Sequence, residues 1–122
     1  MRFYVIFGVT FILLGLIIFY DPYSKYLGVY DGVVNIEYNY SDEDYEWIYD
    51  YTGDNLKVEE INNNKWSLST IKDGICNITF YYLNEKTNDI KYKIYYEFEI
   101  KDKKIFWING EAKGLLDYPN PY

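Results

Sequence analysis

The sequence predicts an all-β protein: an antiparallel β-sandwich preceded by one N-terminal transmembrane helix. Three observations predict it. The chain opens with an 18-residue run, residues 3–20, that carries no charge. Beyond it, apolar residues alternate with polar ones at period two. Turn-forming residues interrupt the alternation at short, regular intervals. The expected organisation is a transmembrane anchor over residues 1–20, a tether over 21–31 and an extracytoplasmic β-sandwich over 32–122.

As a helix, the leading run is about 27 Å long, close to the ~30 Å hydrocarbon core of a bilayer. Tyr4 and Tyr20 stand near its ends, where amphipathic rings favour the interface. A buried strand is shorter than this run. A cleaved signal peptide calls for small residues after the apolar stretch, and Phe19, Tyr20, Asp21, Pro22 and Tyr23 stand there instead. An uncleaved single-pass signal-anchor is therefore expected. Arg2 precedes the helix, whereas Asp21 and Lys25 follow it and cancel. The positive-inside rule then places the C-terminal domain outside the cytoplasm. Without Arg2, 11 lysines remain against 19 acids, so that outer part carries −8.

Asp21-Pro22 ends the helix, because proline disfavours the helical conformation in the residue before it. The clearest strand covers residues 90–101. Ile90, Tyr92, Ile94, Tyr96, Phe98 and Ile100 share one face, and Lys91, Lys93, Tyr95, Glu97, Glu99 and Lys101 share the other. The same alternation runs through Val34, Ile36, Tyr38 and Tyr40; Trp47, Tyr49 and Tyr51; Leu56 and Val58; Trp66, Leu68 and Thr70; and Cys76, Ile78, Phe80 and Tyr82. A further short strand is expected over 104–108. Turns are expected at 52–55, 62–64, 72–74, 84–89 and Asn109-Gly110. About 90 residues close a sandwich with a thin core, and large aromatic rings bury much area per residue.

Composition excludes several functions. The chain has no histidine, so a Ser-His-Asp triad, a Cys-His dyad and an imidazole metal ligand are absent. One cysteine forms no intrachain disulfide, and Cys76 on the apolar face of its strand reads as a small buried hydrophobe. A net charge of −7 makes nucleic acid a poor partner. No pair of carboxyls is placed across a cleft by the alternation, so no catalytic residue, cofactor or metal is assigned. The acidic stretch of Asp42, Glu43, Asp44, Glu46, Asp50 and Asp54 reads as a solvated loop, with a weak calcium site as the sharper alternative. Asn39-Tyr40-Ser41 and Asn77-Ile78-Thr79 match the N-glycosylation sequon. Tyr30, Tyr81 and Tyr95 are candidates for exposed rings, which suit protein or carbohydrate binding.

The order of strands and turns resembles the chagasin-like inhibitors of papain-type cysteine peptidases. The first binding loop of that family reads Asn-Pro-Thr-Thr-Gly-Tyr, then one residue and Trp. Tyr40, Ser41, Asp42, Glu43, Asp44, Tyr45, Glu46 and Trp47 occupy that place, and the Tyr45-x-Trp47 pair is kept. The stretches 55–58, 71–82 and 91–100 resemble the family's later strands. The family's Arg-Pro-Trp loop is replaced by Leu83-Asn84-Glu85-Lys86. The resemblance covers roughly residues 32–101 and is architectural more than motif-deep.

The resemblance implies an immunoglobulin-like fold and a mechanism of occlusion. A loop of Ser41, Asp42, Glu43, Asp44, Tyr45 and Trp47 would enter a peptidase cleft, flanked by residues 62–65 and 84–89. Tyr45 and Trp47 would set the shape of the loop. The expected protein is thus a membrane-anchored, non-enzymatic binding domain. Its expected partners are membrane lipid and a cysteine peptidase or another envelope protein. The alternative is a non-catalytic structural or accessory protein of the cell envelope that works through its sandwich.

Overall fold

The computed structural model describes residues 26–40, 42–114 and 120–122. The expected anchor and residues 21–25 of the expected tether lie outside these residues. Among the described residues no helix is long and apolar enough to cross a membrane.

Eight strands follow in chain order: β1 (Gly28–Asp31), β2 (Val33–Glu37), β3 (Glu46–Thr52), β4 (Leu56–Asn62), β5 (Lys65–Thr70), β6 (Gly74–Asn84), β7 (Asp89–Lys101) and β8 (Lys104–Lys113). They form two antiparallel sheets, β1-β8-β7-β6-β3 and β2-β5-β4, as a sandwich requires. Gly28–Asp31, read from the sequence as the end of the tether, is thus a strand paired with β8. The chain passes from one sheet to the other at Gly32, whose φ of +81° suits glycine.

The core is the set of inward faces that the alternation marks. Val34, Ile36 and Tyr38 meet Trp66 and Leu68 from one sheet and Ile78, Phe80, Ile94, Tyr96 and Phe98 from the other. Rings make much of this core: Phe80 packs against Trp66 at 4.6 Å between centroids and edge-on to Tyr38 and Tyr96. Burying two phenol groups costs desolvation, which the Tyr38–Tyr96 hydroxyl hydrogen bond of 2.8 Å offsets.

Three expected boundaries shift, each for a local reason. β2 ends at Glu37, although Tyr38 stays fully buried. Its amide donates to the Asn64 carbonyl in the β4–β5 turn at 2.9 Å. Ile90 was assigned inward but is 49% exposed. A register shift between Tyr82 and Leu83 pairs Leu83 with Ile90 and breaks the period there. Asn109-Gly110, read as a turn, lies inside β8. The strand bulges there, pairing Glu97 with Asn109 and Phe98 with Trp107. The Trp107 indole N–H donates to the Asn109 carbonyl at 2.9 Å, which pins the bulge.

The far end of the sandwich is tied by one buried amide. Asn55 Nδ2 donates to the Asp73 carbonyl at 2.8 Å, and the Asn55 carbonyl accepts from the Ile71 amide at 2.8 Å. The β3–β4 and β5–β6 connections are thereby joined. Gly74 has φ +140° beside it, and a Cβ there would collide with Asn55 Nδ2. Residues 120–122 lie along β2: the Asn35 and Tyr122 backbones exchange both hydrogen bonds, and Tyr30 Oη donates to the Pro121 carbonyl at 2.9 Å.

Candidate functional site

Strand direction decides which connections share an end. β2 runs toward the end where β3 and β7 begin and β4 and β6 finish. The β2–β3 loop, the β4–β5 turn and the β6–β7 turn therefore gather at one end of the sandwich. A groove of about 430 Å³ lies between the β2–β3 loop, with Asp42 and Tyr45, and the turn at Asn63 and Asn64. A second, of about 250 Å³, separates Glu43–Glu46 from Leu83–Lys86.

The β2–β3 loop is braced from below by aromatic rings. Trp47, the second residue of β3, faces inward and stacks between Tyr38 at 4.3 Å and Tyr82 at 4.6 Å. Tyr92 stacks on Tyr82 at 5.6 Å, and Tyr45 stacks on the same ring at 5.3 Å. Above this pile the backbone is held by polar contacts. The Asp42 amide donates to the Tyr82 hydroxyl at 2.6 Å. Asp42 Oδ1 accepts from the Asp44 amide at 3.1 Å, and the Asp42 carbonyl accepts from the Tyr45 amide at 3.1 Å. That is an Asx turn, the local bond that short acidic side chains offer a loop. Tyr45 Oη donates to Asp89 Oδ2 at 2.6 Å and ties the loop to the start of β7.

Asp42, Glu43 and Asp44 are exposed, Tyr45 is half-buried, and Trp47 is 8% exposed. Ser41 lies outside the described residues. The loop thus presents its carboxylates and hides its tryptophan in the core. The Trp47 Nε1 hydrogen is buried without a partner among the described residues, which keeps the indole a packing element. The two flanking turns stand beside the loop. Sequence reasoning missed three residues of the brace, Tyr82, Lys91 and Tyr92, and set Asp89 only in a flanking turn. Tyr82 and Tyr92 were legible as inward-facing, but nothing in the alternation set them beneath the loop.

Charge at this end is negative, and Lys91 is the cation set against the loop. Lys91 Nζ lies 3.7 Å from Asp42 Oδ2 and over the rings of Tyr45 and Tyr92 at 5.5 and 5.7 Å. Glu46 sits at the first rung of β3, and its carboxyl hydrogen-bonds that of Glu85, which holds its pKa above the ordinary carboxylate value. Bonding to Asp89 raises the Tyr45 phenol above the usual value. The acidic stretch does not gather into a cation cage. Asp54 pairs with Lys72 at 2.7 Å at the opposite end, Asp50 lies on the outer face of β3, and among the described residues no three acidic or thiol groups converge.

The remaining candidates separate clearly. Cys76 is buried on the inner face of β6, and burial pushes its thiol up to about 11. Asn39 is exposed beside the loop, whereas Asn77 lies mid-strand with its Oδ1 buried. Tyr30 bonds to the residues that line β2, while Tyr81 and Tyr95 lie on the outer face of the larger sheet. The chain matches no protein-family model, no curated protein and no solved structure.

Proposed function

We propose that the protein is a membrane-anchored, extracytoplasmic binding domain of immunoglobulin-like fold that acts by occlusion, inserting its β2–β3 loop into the cleft of a papain-type cysteine peptidase. The observation that carries this reading is the bracing of one acidic loop between two others at the same end of a sandwich. A plug that enters a cleft gains affinity when it is already in its bound shape, because less ordering entropy is lost on binding. The aromatic pile under Asp42–Trp47 and the Tyr45–Asp89 bond supply that order.

The strand order supports the immunoglobulin-like assignment. β2-β5-β4 faces β3-β6-β7, with β8 and β1 added beyond β7. The uncharged run at residues 3–20 supports the anchor and the extracytoplasmic placement. Carboxylates at Asp42, Glu43 and Asp44 suit a cleft with a basic rim.

The test is inhibition kinetics with the full chain in detergent micelles against papain-type peptidases. Competitive inhibition that weakens when Asp42, Glu43 and Asp44 are changed to asparagine or glutamine is expected. An absence of inhibition at micromolar concentration removes the reading. Crosslinking in membranes to a neighbouring envelope protein, with no inhibition, would favour a non-catalytic accessory role.

A further inference from the structure

The outer face of the five-stranded sheet carries a feature that the loop end does not explain. Two adjacent rows cross it. One runs Ile48, Tyr81, Lys93, Lys113, and the next runs Asp50, Thr79, Tyr95, Glu111. Lys93 and Lys113 are therefore directly opposed across β7 and β8. Like charges in that position repel and destabilise a sheet. The comparable pair Lys101 and Lys104 is relieved by Asp31, 3.4 Å from Lys104 Nζ. Among the described residues no carboxylate lies in ion-pair range of Lys93 or Lys113, in a chain with 19 acids to draw on.

The surroundings of the pair form a shallow cavity of about 230 Å³, lined by Thr79, Tyr81, Tyr95, Glu111 and the two lysines. Lys93 Nζ lies over the Tyr81 ring at 5.7 Å, and Tyr95 Oη donates to Glu97 Oε2 at 3.0 Å, which orients the second ring. Tyr81 and Tyr95 are diagonal neighbours on the same face. The cavity thus combines two aromatic rings, two lysines opposed in register with no carboxylate in ion-pair range among the described residues, a hydroxyl and a carboxylate.

We infer that this face is a binding site for an anionic sugar. An acidic sugar matches each part: its carboxylate relieves the lysine pair, its C–H faces lie against Tyr81 and Tyr95, and its hydroxyls bond Thr79 and Glu111. A bare inorganic anion is too small to use the rings. A densely charged polyanion is repelled by Glu111 and Glu97 and by a net charge of −7. The site lies on strands and not on loops, so it is independent of the occlusion reading.

The test is calorimetric titration of the full chain in detergent micelles with a galacturonic acid trisaccharide, the neutral galactose trisaccharide and sodium sulfate. The acidic trisaccharide is expected to bind, the neutral one about tenfold more weakly or worse, and sulfate more weakly still. Lys93→Gln together with Lys113→Gln is expected to remove the preference for the acidic sugar while the melting temperature holds or rises, because repulsion is relieved. Lys113→Gln alone provides the same reading with a smaller change to the surface. Tyr81→Ala is expected to weaken both sugars. The inference is overturned by equal affinity for the two trisaccharides, by full affinity in the lysine variants, by sulfate binding as tightly as the acidic sugar, or by no acidic-sugar binding in the millimolar range.

Discussion

Tyr45 donates its phenol hydrogen to Asp89 across 2.6 Å, joining residues 44 positions apart in the chain. One bond therefore couples the acidic β2–β3 loop to the first residue of β7. The rings below it already fix the direction of Tyr45, so the hydroxyl adds position to a side chain that packing has placed.

Replacing Tyr45 with phenylalanine keeps the ring on Tyr82 and removes the bond. Amides of Asp44 and Tyr45 are expected to exchange faster in hydrogen-exchange measurements, with global unfolding unchanged. Because the folded state raises the Tyr45 phenol, the protonated ring is the form it favours. The contribution of this bond is complete below the ordinary phenol range and lost as pH rises through the raised value.

Glu85→Gln tests the carboxyl pair at the head of β3. Glu46 is held above its ordinary value of 4.5, first by the hydrogen bond with Glu85 and then by its charge. A folded pKa above the unfolded one contributes stability that is present at low pH and disappears as pH climbs through it. In the variant, the Glu46 titration followed by NMR is expected to move down toward 4.5.

The thiol of Cys76 is expected to resist alkylation in the native protein. Burial raises it from 9.0 to about 11. That lowers the thiolate fraction at neutral pH about a hundredfold, before any loss of access is counted. Labelling with iodoacetamide should be slow without denaturant and fast in urea. Stability from this group is complete below 9.0 and declines as pH rises toward 11.

Phe80→Ala opens the centre of the core, where Trp66, Tyr38 and Tyr96 all meet the lost ring. The expected cost is about 3–5 kcal/mol, read from the urea midpoint by tryptophan fluorescence. For a domain of ordinary stability, roughly 5–15 kcal/mol, that is a large fraction of the whole.

Gly74→Ala would place a methyl group against Asn55 Nδ2 at a φ of +140°. Both the backbone penalty and the broken Asn55 bond to Asp73 act in the same direction. A loss of about 1–3 kcal/mol is expected in chemical denaturation. The loop end, far from this site, should keep its exchange pattern.

Much of this fold was legible because a half-buried strand writes its face into the sequence. Cys76, Ile78, Phe80 and Tyr82 point inward as their spacing demands, and so do Ile94, Tyr96, Phe98 and Ile100. Period-two reading fails where a bulge resets the phase. That is why Ile90 came out exposed; Asn109-Gly110, read as a turn from its residue types, instead lies in β8 beside a bulge. β1 was hidden for another reason: four residues are too few for a period to declare itself. At the loop end, the loops themselves were readable from their acidic and turn-forming residues. Their brace was not, because Tyr82, Tyr92 and Asp89 reach the loop only through pairing between distant strands. Opposed lysines on β7 and β8 were equally invisible, since register is a property of two strands and not of either one.

The short segment at residues 120–122 has a consequence for solubility. By exchanging two backbone bonds with Asn35 and burying Pro121, it occupies the middle of the β2 edge, where the Asn35 amide and carbonyl would otherwise be open to another chain. Without those three residues the exposed Asn35 rung becomes a place for another strand to add.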